Sequence, residues 1–305
     1  VMIVELSVPA SLVALMVALP VLYAPLRALI GHRSDTHRCA LGWRRVPFIW
    51  MGTMLQFGGL AVMPFALLVL SGGGQAAQWP AWVGWAGAGV AFLLVGAGLH
   101  TVQTAGLALA TDLAPPDSRP RVVGLMYVTL LAATVVSALA FGAFLREFSP
   151  ARLVQVIQAA AVLTLLLNTV ALWKQETRRP AHRVAPTEAP GFAQAWRSLM
   201  QGEGARSRLL AIGLGTLAFG MQDVLIEPYG GQVLGMGVGE TTWLTAALAA
   251  GGLAGFAVAS SILARGADPA RMALAGAVLG VPAFAAVLMS ASLQSVGVFA
   301  GGVLL

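Results

Sequence analysis

Runs of about 20 apolar residues recur along this chain, and that recurrence constrains its fold more than any other feature. A helix needs roughly 20 such residues to cross about 30 Å of hydrocarbon. Eight complete runs are present, at about residues 11–30, 47–70, 81–111, 122–145, 152–173, 209–229, 241–264 and 272–291. Only 10% of residues are charged and 58% are hydrophobic, against about 25% charged in a soluble domain. The deficit of charge extends along the whole chain, which excludes a signal anchor attached to a globular body. The reading is an all-α, polytopic membrane protein. Residues 1–9 read as the outgoing end of an earlier helix and 293–305 as the beginning of a later one, so the chain is read as a fragment. The single cysteine, Cys39, excludes an internal disulfide and a cysteine-built zinc or iron–sulfur site.

Charge gives the runs a direction. All but two of the 18 Lys and Arg residues lie in alternate breaks. One set holds Arg27, Arg33, Arg38, Arg44 and Arg45, then Arg119 and Arg121, then seven residues from Lys174 to Arg208, then Arg265 and Arg271. The other set holds Arg146 and Arg152. Positive charge near span ends is retained on the cytoplasmic side, so every second loop is expected to be cytoplasmic. The net charge of +6 follows from this asymmetry and requires no nucleic-acid partner. Trp79, Trp82 and Trp85 stand where the third run enters from the opposite face, as an interfacial aromatic belt would.

The longest break divides the chain into an N-terminal bundle at 1–173, a linker at 174–208 and a C-terminal bundle at 209–305. Within the linker Phe192, Trp196, Leu199 and Met200 share one face of a short helix. That helix lies either in the headgroup layer or in a plain connector. Val1–Leu6 aligns with 223–228, each read as closing a helix before an outer loop, and Asp35-Thr36-His37-Arg38 matches Asp268-Pro269-Ala270-Arg271 at the next basic loop. Such pairs suggest duplicated bundles, the plan of major facilitator transporters.

Several polar residues fall inside the runs. A carboxylate within a span costs several kcal/mol unless it faces protein or water, which singles out Glu5, Asp223 and Glu227. Asp223 and Glu227 share a face at i, i+4 and read either as proton- or cation-binding groups in a cavity or as interfacial acids at a helix end. His100 and Gln103, spaced i, i+3, are far from any charged loop. A neutral imidazole can ligate a chlorin magnesium, so His100 and Gln103 are the candidate pigment-binding residues, with Asn168 a weaker one. The competing reading for His100 is a hydrogen bond between helices. His32, His37 and His182 read as solvated. Ala247, Gly251, Gly255 and Ala259 form a small-residue stripe for close helix contact. There is no phosphate loop, no His-Glu-x-x-His pair and no nucleophile elbow, so no enzyme activity is expected.

The loop after the first run reads Gly31-His32-Arg33-Ser34-Asp35 and then Gly42-Trp43-Arg44-Arg45. This resembles the Gly-x-x-x-Asp-x-x-Gly-Arg-Arg signature of the major facilitator superfamily, with Gly42 seven residues after Asp35 instead of three. In that superfamily the Asp caps a helix end and pairs with Arg across the two bundles. The resemblance therefore implies a conformational latch at Gly31, Asp35, Gly42, Arg44 and Arg45. Together with Gln103-Thr104-Ala105-Gly106-Leu107-Ala108-Leu109-Ala110-Thr111-Asp112-Leu113-Ala114 and Ile226-Glu227-Pro228-Tyr229-Gly230-Gly231, the loop looks like the bacteriochlorophyll-delivery branch of that superfamily. Its members include PucC-type factors that assist assembly of light-harvesting complexes in purple phototrophs.

The likeness covers essentially the whole chain. It implies a major facilitator fold of two six-helix bundles, of which this chain would hold the end of helix 1, helices 2 to 9 and the start of helix 10. It implies a multi-pass protein of the bacterial inner, intracytoplasmic membrane that holds bacteriochlorophyll, or a pigment-loaded antenna helix, and hands it on. Its expected partners are light-harvesting antenna subunits or the reaction-centre antenna complex. Two other readings stay open: a proton-coupled secondary transporter using Glu5, Asp223 and Glu227, and a scaffold subunit that binds no pigment.

Overall fold

A computed structural model describes all residues except 1, 3–5, 7, 38, 40, 73–77 and 178–190. The described residues form helices and no strand. In chain order these are α1 (Ala10–Leu22), α2 (Leu26–Thr36), α3 (Val46–Leu70), α4 (Ala81–Leu113), α5 (Arg119–Phe144), α6 (Pro150–Ala171), α7 (Phe192–Gln201), α8 (Ala205–Val233), α9 (Val238–Ala264), α10 (Pro269–Leu293) and α11 (Val296–Leu304). Eight segments among the described residues are long and apolar enough to cross a membrane, which establishes an all-α polytopic protein. Exposed leucines, valines and tryptophans cover these helices, as lipid-facing positions require.

Three boundaries differ from the sequence expectation. The first run is two helices, because neither Pro20 nor Pro25 can donate to the ladder. Tyr23 and Ala24 instead donate to Pro20 and Val21 three residues back, and α2 continues to Thr36. The motif at Glu227-Pro228 was expected to end a helix, yet α8 continues through Pro228 to Val233. Ile226 and Gly230 are buried there, and Ile226 packs in a core with Met236, Leu244, Phe299 and Val303, so packing outweighs the missing N–H. Of residues 1–9, the described Met2, Leu6, Val8 and Pro9 are not helical, while Leu6 and Val8 are buried.

The chain divides into two compact units. One comprises Val1–Val123 with Ser149–Arg206, the other Gly124–Phe148 with Ser207–Leu305. In the first, α3 and α4 touch backbone to backbone. A Cβ on Gly52 would lie 2.9 Å from the Gly98 carbonyl oxygen, and one on Gly59 would lie 2.9 Å from that of Ala91. Gly52, Gly59 and Ala66 on α3, and Gly84, Ala91 and Gly98 on α4, repeat every seven residues, the period that keeps two nearly aligned helices in register. Helix α6 joins α3 through polar contacts: Asn168 Nδ2 donates to Thr53 Oγ1 at 3.1 Å and Gln158 Nε2 to the Ala61 carbonyl at 2.7 Å.

In the second unit α11 is wedged between α9 and α10. A Cβ on Gly251 would collide with the Leu304 carbonyl oxygen at 2.2 Å, and one on Gly302 would lie 2.9 Å from that of Ala283. Half of the small-residue stripe is therefore intramolecular packing, since Ala247 is buried while Gly255 has open space around it. Helix α5 belongs here because Gly124 lies against Phe256, and Gly252 against Leu131.

Candidate functional site

Four spans of the first unit meet in one charged node. Arg45, only 4% exposed, lies just before α3. Its guanidinium pairs with Asp35 from the last turn of α2, donates from Nε to Asp112 Oδ2 at the end of α4 at 3.1 Å, and donates from Nη1 to Ser34 Oγ at 2.6 Å. Arg44 also pairs with Asp112. A planar fork with five donors suits this three-way contact, which a lysine ammonium cannot reproduce.

The start of α3 is capped from a distance. Glu176, beyond the end of α6, accepts from the backbone N–H groups of Arg44 at 2.8 Å, Arg45 at 3.0 Å and Val46 at 3.0 Å. Those donors have no partner inside the helix, and the helix dipole favours a carboxylate there. Between the end of α6 at Ala171 and Glu176 the backbone passes through a left-handed residue at Lys174, φ 55°. On the other side of the node, Gly42 at φ 81° closes a turn with its N–H donating to the Cys39 carbonyl at 2.9 Å.

The structure thus brings Asp35, Arg44 and Arg45 together, with Gly42 shaping their loop and Gly31 packed on Thr104 of α4. It corrects two details of the expected latch. Asp35 pairs with Arg45 inside one unit, and the capping carboxylate is Glu176. Asp112, Glu176 and Ser34 were missed as members of the node. Asp112 stands in a stretch singled out for its family likeness, but its separation from Arg44 by 68 residues left no local signal of the pair.

His100 sits where α4 crosses the break between α1 and α2. One turn before it, Gly96 lies so close to Pro20 that a Cβ would come within 2.4 Å of the proline's own Cβ. His100 Nε2 is 3.1 Å from the Pro20 carbonyl oxygen, which can only accept, so Nε2 carries the proton. The Tyr23 ring stacks parallel to the imidazole with centroids 6.4 Å apart. Nδ1 is left as a buried atom without a hydrogen-bond partner.

A chlorin needs an open face in front of an unprotonated ring nitrogen. Here Nε2 is engaged and Nδ1 is shut in, so His100 as placed does not fit a chlorin magnesium; it joins α4 to the broken helix. Gln103 is half-buried on the same helix, and Asn168 is committed to Thr53.

Of the expected intramembrane acids, Glu5 lies outside the described residues. Asp223 is placed in α8 by its backbone, and its side chain lies outside the described set. Glu227 is exposed on α8 and accepts from Thr245 Oγ1 on α9 at 2.6 Å, so it ties two helices rather than standing alone at a helix end. Of the histidines expected to be solvated, His37 is exposed with its ring against Phe48 at 5.3 Å, while His32 is half-buried and meets Phe192 edge-on at 5.7 Å. His182 lies outside the described residues.

Comparison with known proteins agrees with the signature loop. The family model described as PUCC protein matches residues 1–305. Similar proteins include Protein PucC of Rhodovulum sulfidophilum, 59% identical over 308 residues, Protein PucC of Cereibacter sphaeroides, 54% over 304, and Protein PucC of Rhodobacter capsulatus, 55% over 301. These alignments cover 100%, 100% and 98% of this chain and 68%, 66% and 65% of the relatives. The chain thus spans about two-thirds of the length of the proteins it matches. Identity above half along essentially every residue, with the whole chain inside the family model, shows that it belongs to the PucC family.

Proposed function

We propose that this chain is the greater part of a non-enzymatic assembly factor for photosynthetic light-harvesting complexes, acting in the bacterial inner, intracytoplasmic membrane. The observation that carries the reading is the family likeness over all 305 residues. Two structural features support it. The exterior is apolar along the spans, suited to lateral contact with another transmembrane helix, and the described spans carry few charged groups that would serve a transported ion. In this reading the protein holds a pigment-loaded antenna helix, or bacteriochlorophyll itself, and passes it to the growing antenna or reaction-centre antenna complex. The major facilitator fold of two six-helix bundles, with basic loops and the central linker cytoplasmic, is part of the same proposal.

In this reading the His100 imidazole is not the pigment ligand, because Nε2 is engaged by the Pro20 carbonyl and Nδ1 is buried. The test is to tag the full-length protein in a pigment-making host, purify it in mild detergent, and record its absorption spectrum and co-purifying subunits. Retained antenna subunits, together with loss of antenna absorption in cells lacking the gene, are the expected results. Normal antenna content in such cells would refute the proposal. Under the same reading His100→Gln, which keeps a donor for the Pro20 carbonyl, leaves antenna content near wild type.

A further inference from the structure

Beside the charged node lies a groove of about 890 Å3 lined by Trp43, Trp50, Trp173, Leu41, Leu172 and Lys174 among others. We propose that it holds one anionic phospholipid of the surrounding bilayer, with the phosphate on Lys174 and the glycerol and upper acyl carbons between the indoles. Its volume lies within the range of small-molecule sites, roughly 300–1,000 Å3. Its position is set by the spans: α3 begins at Val46 and α6 ends at Ala171, so the groove opens where hydrocarbon gives way to headgroups. Indoles favour that boundary because one part of the ring is apolar and its N–H seeks a polar partner.

Two ionisable groups of opposite sign, Lys174 and Glu176, line the groove, and their hydrogen bonding sets them apart. The two oxygens of Glu176 already accept from three backbone N–H groups. Thr169 Oγ1 donates to the Leu165 carbonyl at 2.7 Å. The cation of the lining is Lys174, for which the structure gives no acidic partner among the described residues. A basic group in an apolar groove between span ends is the arrangement that recognises an anionic headgroup. The left-handed backbone at Lys174, φ 55°, is a conformation that favours glycine. A lysine there departs from local backbone preference while lining the groove.

This inference is independent of the proposed role in antenna assembly and is tested on the full-length protein without pigment. The protein is stripped in detergent, returned to nanodiscs of phosphatidylglycerol or phosphatidylcholine, extracted again, and its retained lipid counted by native mass spectrometry. One retained phosphatidylglycerol per chain is expected, with phosphatidylcholine retained more weakly. Lys174→Gly relieves the backbone, so its thermal midpoint should not fall, yet its phosphatidylglycerol retention should drop about fivefold, the worth of one interfacial charge. Trp50→Ala should also reduce retention, while Trp82→Ala, at the far end of α4, should not. Equal retention of the two lipids, or unchanged retention in Lys174→Gly, would overturn the proposal. So would a groove filled by a tetrapyrrole in protein from a pigment-making host.

Discussion

Arg45 shows how a residue's neighbours set its importance. Its guanidinium is almost fully enclosed while its partners Asp35 and Asp112 are 57% and 38% exposed at the side chain. Removing it leaves Asp35 without its cation and Asp112 with Arg44 alone. The expected loss for Arg45→Ala is about 2–3 kcal/mol, below the roughly 3–5 kcal/mol of a fully buried pair because water still reaches both acids. Arg45→Lys should recover little, since the donors of an ammonium radiate from one nitrogen whereas Arg45 reaches its acceptors from Nε, Nη1 and Nη2. Thermal unfolding in detergent measures both, and a lysine variant as stable as wild type would contradict the three-way role. Glu176→Ala should cost about 1–2 kcal/mol by uncapping α3, with Glu176→Gln intermediate because it keeps an acceptor but loses the charge. Half of this node was legible in the signature loop. The other half was not, because Glu176 lies 132 residues from Arg44 and nothing local to it marks a cap.

At the scale of helices, closeness is decided by where glycine faces a neighbour. Gly96→Val should force α1 away from α4, since even a Cβ would overlap Pro20, and should cost about 1–3 kcal/mol by overpacking. Gly255→Ala, with nothing within 4 Å of its Cβ position, should stay within about 0.5 kcal/mol of wild type. Equal effects in an unfolding assay would show that the crossing is wrong. The sequence drew attention to the four-residue stripe on α9 and passed over the seven-residue repeat that joins α3 to α4, although both were visible as spacing. Runs of hydrophobicity located every span, but the proline effects had to be resolved by packing. Pro20 and Pro25 flank a half-buried break at Tyr23 and Ala24, whereas Pro228 is carried through with Ile226 and Gly230 buried on either side of it.

For the whole molecule, the sharpest expectation concerns sidedness. Cys39, the single cysteine, stands in the basic loop after α2 and should react with a membrane-impermeant maleimide in inside-out vesicles but not in intact spheroplasts. The reverse pattern would invert the proposed topology. A cysteine introduced at Arg146 should label with the opposite preference. The sequence by itself determined the apolar runs long enough to span, the bias of Lys and Arg toward alternate breaks and the family, because those depend on the length of apolar runs, the count of Lys and Arg in each break, and the identity of residues in order. Tertiary structure alone decided which acid meets which base, which glycines touch and which nitrogen of His100 is buried. Each helical residue turns about 100° from the last, so the partner of a side chain depends on how neighbouring helices rotate and cross, and that is fixed only when they pack.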